Sequence, residues 1–203
     1  MKLALLTQRV DVHPDYGERR DALDQRWAAF LEQAGYAMCA VPNHSDLDAP
    51  GYLDRLSPDL IVLTGGNSIA MDGVPPGQIA QERDALENKL IAEAMKRDIA
   101  IKGICRGMQM LNVHFGGSLR PVANHVAVTH PIHGSREAEV NSYHDFGIAE
   151  EDLAEGLEAT AWARDGTIEA FRVANRRIDA IMWHPEREGE FHPADIAWIR
   201  GDT

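Results

Sequence analysis

The chain has 203 residues, 44% of them hydrophobic and 26% charged, enough for one domain whose core needs no disulfide or structural metal. Its formal net charge of -12 argues against a nucleic-acid partner, whose phosphates are met by Lys and Arg, while leaving room for a small anion held by a few local arginines. No apolar run is long enough to span a bilayer, and the opening run stops at Thr7, Gln8 and Arg9, too short for a signal-peptide core, so a cytoplasmic protein is expected.

Through the first half, short apolar runs alternate with helical patterns. Strands are predicted over 3–6, 36–41, 60–63 and 99–104, with helices over 19–33 and 81–96. A further helix follows Cys105, where MQMLNVHF runs into the stop signal Gly116-Gly117. The second half reads as strands over 137–143, 159–163, 167–173 and 177–183. Asp165-Gly166 is a hairpin signal and Asn175-Arg176 marks another turn. The expected architecture is α/β, a mostly parallel central sheet flanked by helices with an antiparallel extension, in a single domain over 1–203. No repeat, low-complexity tract or linker divides it.

Two cysteines do not make a disulfide framework in such a chain, so each is judged by its surroundings. Cys39, inside an apolar strand, reads as structural. Cys105 sits in Gly103-Ile-Cys105-Arg-Gly107, a strand–turn–helix with the G-x-C-x-G spacing, the cysteine counterpart of a nucleophile elbow. The helix that follows aims its dipole and free N–H groups at the sulfur, favouring thiolate.

A thiolate needs a proton shuttle, and His184 ends an apolar strand in Trp183-His184-Pro185-Glu186. In extended chain, residues two apart share a side, so Glu186 is placed to orient the imidazole. A second strand end carries Gly65-Gly66. Backbone N–H groups of Gly66 and Arg106 are the candidate oxyanion donors.

Together these segments resemble the class I glutamine amidotransferase superfamily and, within it, the γ-glutamyl hydrolase branch. The resemblance runs from LIVLTGG through RDALENKLIAEAMKRDIAIKGICRGMQMLNVHFGGSL and VNSYHDFGI to AIMWHPERE, most of the chain. It implies a three-layer, flavodoxin-like fold and a Cys105–His184–Glu186 triad that forms a γ-glutamyl thioester and releases glutamate. It also implies that Gln109 holds the glutamate moiety, and that the backbone around Ser142, Tyr143 and His144 holds its α-amino and α-carboxylate groups. The opening TQRVDVHPDYGERRDALDQRW, with NHVAVTHPIHG and VNSYHDFGI, looks like the γ-glutamyl-CDP-amidate hydrolases of capsular polysaccharide biosynthesis. The implied partner is a small γ-glutamyl substrate with a nucleotide-linked leaving group. The residues also allow a glutaminase subunit serving a synthase partner, a hydrolase of γ-glutamylated amines, or a homodimer. The lack of an attached synthase domain favours a stand-alone hydrolase.

An anionic group is suggested by the residues as well. Arg9 closes the first strand, and Arg19 and Arg20 fall near the start of the predicted helix, whose N-terminus favours anions. His125, His130, His133 and His144 cluster in sequence, but their spacing fits no zinc pattern and no cysteine accompanies them, so neither metal nor cofactor is expected. They read as lining the substrate cleft or a polar loop.

Overall fold

A computed structural model describes residues 2–71 and 73–202. In chain order the elements are β1 (Lys2–Leu6), β2 (Arg9–Val12), β3 (Arg19–Ala22), α1 (Arg26–Gln33), β4 (Tyr36–Ala40), α2 (Ala49–Leu56) and β5 (Leu60–Leu63). Then come α3 (Gln81–Arg97), β6 (Ala100–Ile104), α4 (Arg106–His114), β7 (Arg120–Pro121), β8 (Val126–Gly134), β9 (Ala138–Tyr143) and β10 (Phe146–Gly147). The chain closes with β11 (Leu157–Ala163), β12 (Ile168–Val173), β13 (Ile178–Ile181) and α5 (Pro193–Arg200).

Nine strands form one mixed sheet in the order β4-β1-β5-β6-β13-β12-β11-β8-β9. The segment from β4 to β13 is parallel, and β12, β11, β8 and β9 extend it antiparallel. The parallel strands read as continuous apolar runs because helices cover both of their faces. Along β1, Leu5 points into one core with Leu53, Leu90 and Leu111 of α2, α3 and α4. Its neighbours Ala4 and Leu6 point into the opposite core, with Trp27, Phe30, Ile196 and Ile199 of α1 and α5. The result is the expected three-layer α/β sandwich. Lys102, in the middle of β6, is buried; its ammonium pairs with Asp179 at 2.6 Å and lies 4.7 Å over the Trp198 ring.

Two segments differ from the sequence expectation. Residues 19–33 do not form one helix. Residues 19–22 pair with 9–12 as the β2–β3 hairpin, and α1 starts at Arg26 after Asp24 accepts a hydrogen bond from its N–H at 2.9 Å. The reason is periodicity: RRDA offers no apolar face, whereas Trp27, Phe30 and Leu31 make one from the next turn onward. The histidine-bearing segment, for which no strand is predicted, contains the nine-residue strand β8. The sequence reading also passed over α2 and α5. Asp48 caps α2 by accepting from the Gly51 N–H at 3.1 Å.

Candidate active site

The site lies where β1, β5, β6 and β13 end, at the carboxyl edge of the parallel segment. Cys105 joins β6 to α4 with φ 52° and ψ -109°, a left-handed backbone conformation rare for a residue with a side chain. The flanking glycines make that turn fit. A Cβ on Gly107 would sit 1.9 Å from the Leu63 carbonyl oxygen. One on Gly103 would sit 2.7 Å from Leu111 Cδ1. Both absences let α4 press onto β5 and β6. The Cys105 N–H donates to the Ile181 carbonyl at 2.9 Å, tying the elbow to the strand that leads to His184.

His184 and Glu186 are both buried, with His184 Nδ1 2.7 Å from Glu186 Oε1. The two meet across a 3₁₀ turn at Pro185–Arg187, not along extended chain as the sequence suggested. His184 itself remains extended. Asn141 holds its backbone, accepting from the His184 N–H and donating to its carbonyl, each at 2.9 Å. A Cβ on Gly65 would lie 2.5 Å from His184 Cε1, so that glycine makes room for the ring. Burial disfavours a charged imidazole here. Cys105, through its charge and a side-chain hydrogen bond, and Glu186 outweigh it and raise the His184 pKa to about 9.

A cleft of about 550 Å³ is lined by Gly66, Cys105, Arg106, Gln109, Tyr143, His144 and His184, together with Arg9 and Arg187. Gly66 takes a positive φ of 85°. Arg106 opens α4, so its N–H belongs to the first turn, which has no intrahelical acceptor. Gln109 donates its side-chain amide to the Phe146 carbonyl at 2.8 Å. Ser142 is fully buried, with its hydroxyl donating to the His125 carbonyl at 2.6 Å, and its neighbours Tyr143 and His144 face the cleft.

The arginines divide. Arg9 reaches the cleft, where it pairs with Asp11 at 2.7 Å. Arg19 and Arg20 sit on the exposed hairpin strand rather than at a helix N-terminus. Arg19 pairs with Glu82, while Arg20 contacts Glu18 and Tyr16 at 2.8 Å each. Neither lines the cleft. A further cation that does, beside Arg9, and that sequence reasoning missed, is Arg187, 4.5 Å over the Tyr143 ring and 3.7 Å from Glu186. Its place directly after Pro185-Glu186 was the available signal.

A buried ionic network supports the site. Arg83 donates to the carbonyls of Thr64, Gly65 and Gly66 at 2.5–3.0 Å and pairs with Glu87 at 2.8 Å. Glu87 also pairs with Arg106, which reaches Asp84. Burial opposes charge on Glu87, but Arg106 and Arg83 hold its pKa below the ordinary carboxylate value. The side chain of Arg106 is therefore held in this network, while the residue also lines the cleft. The mixed charge of 81–96 predicts a helix but gives no sign that Arg83 and Glu87 point inward.

Of the four clustered histidines, His133 stacks on Trp162 with ring centroids 6.0 Å apart. The other three surround Glu169, a fully buried carboxylate on β12 that no sequence motif singles out.

The model of the peptidase C26 family matches residues 4–133 and 123–186. The γ-glutamyl-CDP-amidate hydrolase of Campylobacter jejuni subsp. jejuni serotype O:2 is 32% identical over 193 residues, covering 94% of this chain and 93% of that protein. Protein NtpR of Enterococcus hirae is also 32% identical, over 80% of each chain. Among solved structures, a candidate GMP synthase component from Thermoplasma acidophilum superposes with a TM-score of 0.69 at 22% identity, over 97% of this chain and 90% of that one. The elbow, the strand order and these matches agree: the chain belongs to the peptidase C26 family of class I glutamine amidotransferase-like proteins and is a hydrolase.

Proposed function

We propose that the protein hydrolyses a γ-glutamyl amide through Cys105, His184 and Glu186, and that its substrate is γ-glutamyl-CDP-amidate, yielding glutamate and cytidine diphosphoramidate for capsule polysaccharide biosynthesis. The observation that carries the reaction is the buried His184–Glu186 pair beside Cys105 at a strained elbow. The leaving group rests on the Campylobacter jejuni relative and on the two arginines, Arg9 and Arg187, that face the cleft in an acidic chain.

In this reading the Cys105 thiolate attacks the γ-carbonyl carbon. The carbonyl electron pair moves onto oxygen, where the N–H groups of Gly66 and Arg106 receive it; losing one such donor typically costs about 2.7–4 kcal/mol of barrier. As the tetrahedral adduct collapses, the C–N bond breaks and the departing nitrogen takes the proton from His184. A γ-glutamyl thioester remains. Neutral His184 then removes a proton from water, whose oxygen attacks the thioester and expels the thiolate. Glu186 keeps the ring in the tautomer that serves both steps. Gln109 and the Tyr143–His144 backbone hold the glutamyl half.

The test is glutamate release from γ-glutamyl-CDP-amidate, glutamine and γ-glutamyl-aminobutyrate, with wild type and Cys105→Ser. A strong preference for the cytidylyl substrate, abolished in the variant, is the expected result. Preference for the amine conjugate would retain the triad and reject the leaving group. Release from none of the three would reject the stand-alone hydrolase in favour of a glutaminase that needs a synthase partner.

A further inference from the structure

We propose that His125, His130, His144 and Glu169 form a binding site for one divalent transition-metal ion of the zinc type, set behind the cleft wall. Sequence spacing gave no such pattern, because Glu169 arrives from β12 while the histidines come from around β8 and β9.

Distances come first. One coordinating atom each from His125, His130 and Glu169 lies within 4.8 Å of the others. His125 Nδ1 is 3.2 Å from His144 Nε2 and 3.5 Å from Glu169 Oε1, His144 Nε2 is 3.5 Å from the same oxygen, and His130 Nε2 is 3.6 Å from Glu169 Oε2. Tetrahedral zinc with bonds of about 2.0–2.1 Å separates neighbouring ligand atoms by roughly 3.3–3.4 Å. The three distances joining His125 Nδ1, His144 Nε2 and Glu169 Oε1 stand near the edge lengths of such a shell, while His130 approaches the other Glu169 oxygen, so one shared ion needs that side chain to draw in.

Hydrogen positions point the same way. The outward nitrogen of His125, Nε2, is 3.0 Å from Asp165 Oδ2. The outward nitrogen of His144, Nδ1, is 3.0 Å from the Phe146 carbonyl oxygen. A carboxylate and a carbonyl accept, so both outward nitrogens carry the hydrogen. In neutral imidazoles the inward nitrogens then carry lone pairs, facing each other at 3.2 Å beside a carboxylate with no solvent exposure. Both Glu169 oxygens and His130 Nε2 are buried without a hydrogen-bond partner among the described residues. Such groups are costly to bury unpaired, and a cation at their centre satisfies them together. The outward contacts are also those that orient histidine ligands around a metal: carboxylate–histidine for His125, carbonyl–histidine for His144.

The histidine-rich, thiol-free donor set suits zinc, nickel or copper better than magnesium or calcium. The ion would fasten β8 and β12 to the segment after β9. His144 belongs both to this cluster and to the cleft wall, so the metal would position that wall without touching the reacting atoms.

The test uses the full chain carrying Cys105→Ala, which removes the reactive thiol as a competing zinc ligand. After treatment with a chelator and its removal, zinc is titrated calorimetrically and the melting temperature is followed. One equivalent of zinc should bind, with a rise of about 5–10 °C once free zinc reaches a hundredfold excess over its dissociation constant. Cobalt(II) in the same protein should give the intense visible absorption of a tetrahedral site. Adding Glu169→Gln or His130→Ala should abolish both signals. Absence of binding and of any thermal shift in the Cys105→Ala protein would overturn the proposal and leave a shared proton as what holds the cluster together. Binding that survives in both added variants would overturn it equally, since the ion would then sit elsewhere. If neither added variant folds, the parent titration and its cobalt spectrum decide.

Discussion

At the scale of single residues, His184 concentrates the site's electrostatics. Its environment takes opposing sides: burial pushes the imidazole towards neutrality, while Cys105 and Glu186 hold it charged up to about pH 9. Because this folded-state pKa lies above the unfolded value of about 6.5, the stability it contributes is complete below roughly pH 6.5 and disappears as the pH rises through about 9. Nuclear magnetic resonance titration of the His184 ring should give a midpoint near pH 9 in wild type. In Cys105→Ala, which loses the principal raising influence, the midpoint should fall. Glutamate release should decline above pH 9, as the acid for the leaving nitrogen is lost. A wild-type midpoint near 6.5 would contradict the coupling. The turn at Cys105 and the meeting of His184 with Glu186 were legible because each lies in a short local pattern. Arg187 was equally local but was passed over in favour of Arg19 and Arg20, whose helix did not form and whose guanidinium groups the hairpin pairs with Glu82 and Glu18.

Between elements, α3 is what joins the loop after β5 to the elbow. Arg83 grips three successive carbonyls after β5, Glu87 binds Arg83, and the same carboxylate binds Arg106 at the head of α4. Removing one partner of a buried ion pair strands the others, at a cost of about 3–5 kcal/mol. Glu87→Ala leaves two buried guanidinium groups and should lose stability on that scale in urea unfolding. Arg19→Ala, which breaks the exposed pair with Glu82, should cost about 1 kcal/mol or less. Equal losses in the two variants would show that the network carries no special weight. Elements with two covered faces, such as β5 and β6, were readable as apolar runs. The strand β8 was not: most of its residues are exposed or half-buried, and Pro131 and two histidines interrupt any alternation. The inward face of α3 was hidden for a different reason. Charged residues on a helix ordinarily face solvent, and only the meeting of α3, α4 and the β5 loop makes a charged core position stable.

For the molecule as a whole, strand order explains why distant sequence segments share one cleft. β1, β5, β6 and β13 are neighbours in a parallel run, so Arg9, Gly66, Cys105 and His184, each following one of them, gather at one edge. The parallel alternation in the first half made that edge foreseeable. The antiparallel return that brings Glu169 under three histidines was not, since it depends on pairing across the whole second half. The same global view sets a condition on the substrate. A protein of net charge -12 repels a diphosphate at long range, and on the proposed function Arg9 and Arg187 supply the local attraction that opposes it. Replacing both by alanine leaves mainly the repulsion. Salt screens charges beyond about 10 Å at 0.1 M, so it should then raise kcat/KM for γ-glutamyl-CDP-amidate in the double variant. In wild type, screening acts on attraction and repulsion together, and the response should be smaller or reversed. Glutamine, with no net charge, should respond weakly in either protein. Identical salt dependence of wild type and double variant towards the cytidylyl substrate would mean that these arginines do not meet its phosphates, and the nucleotide would have to be held elsewhere along the cleft.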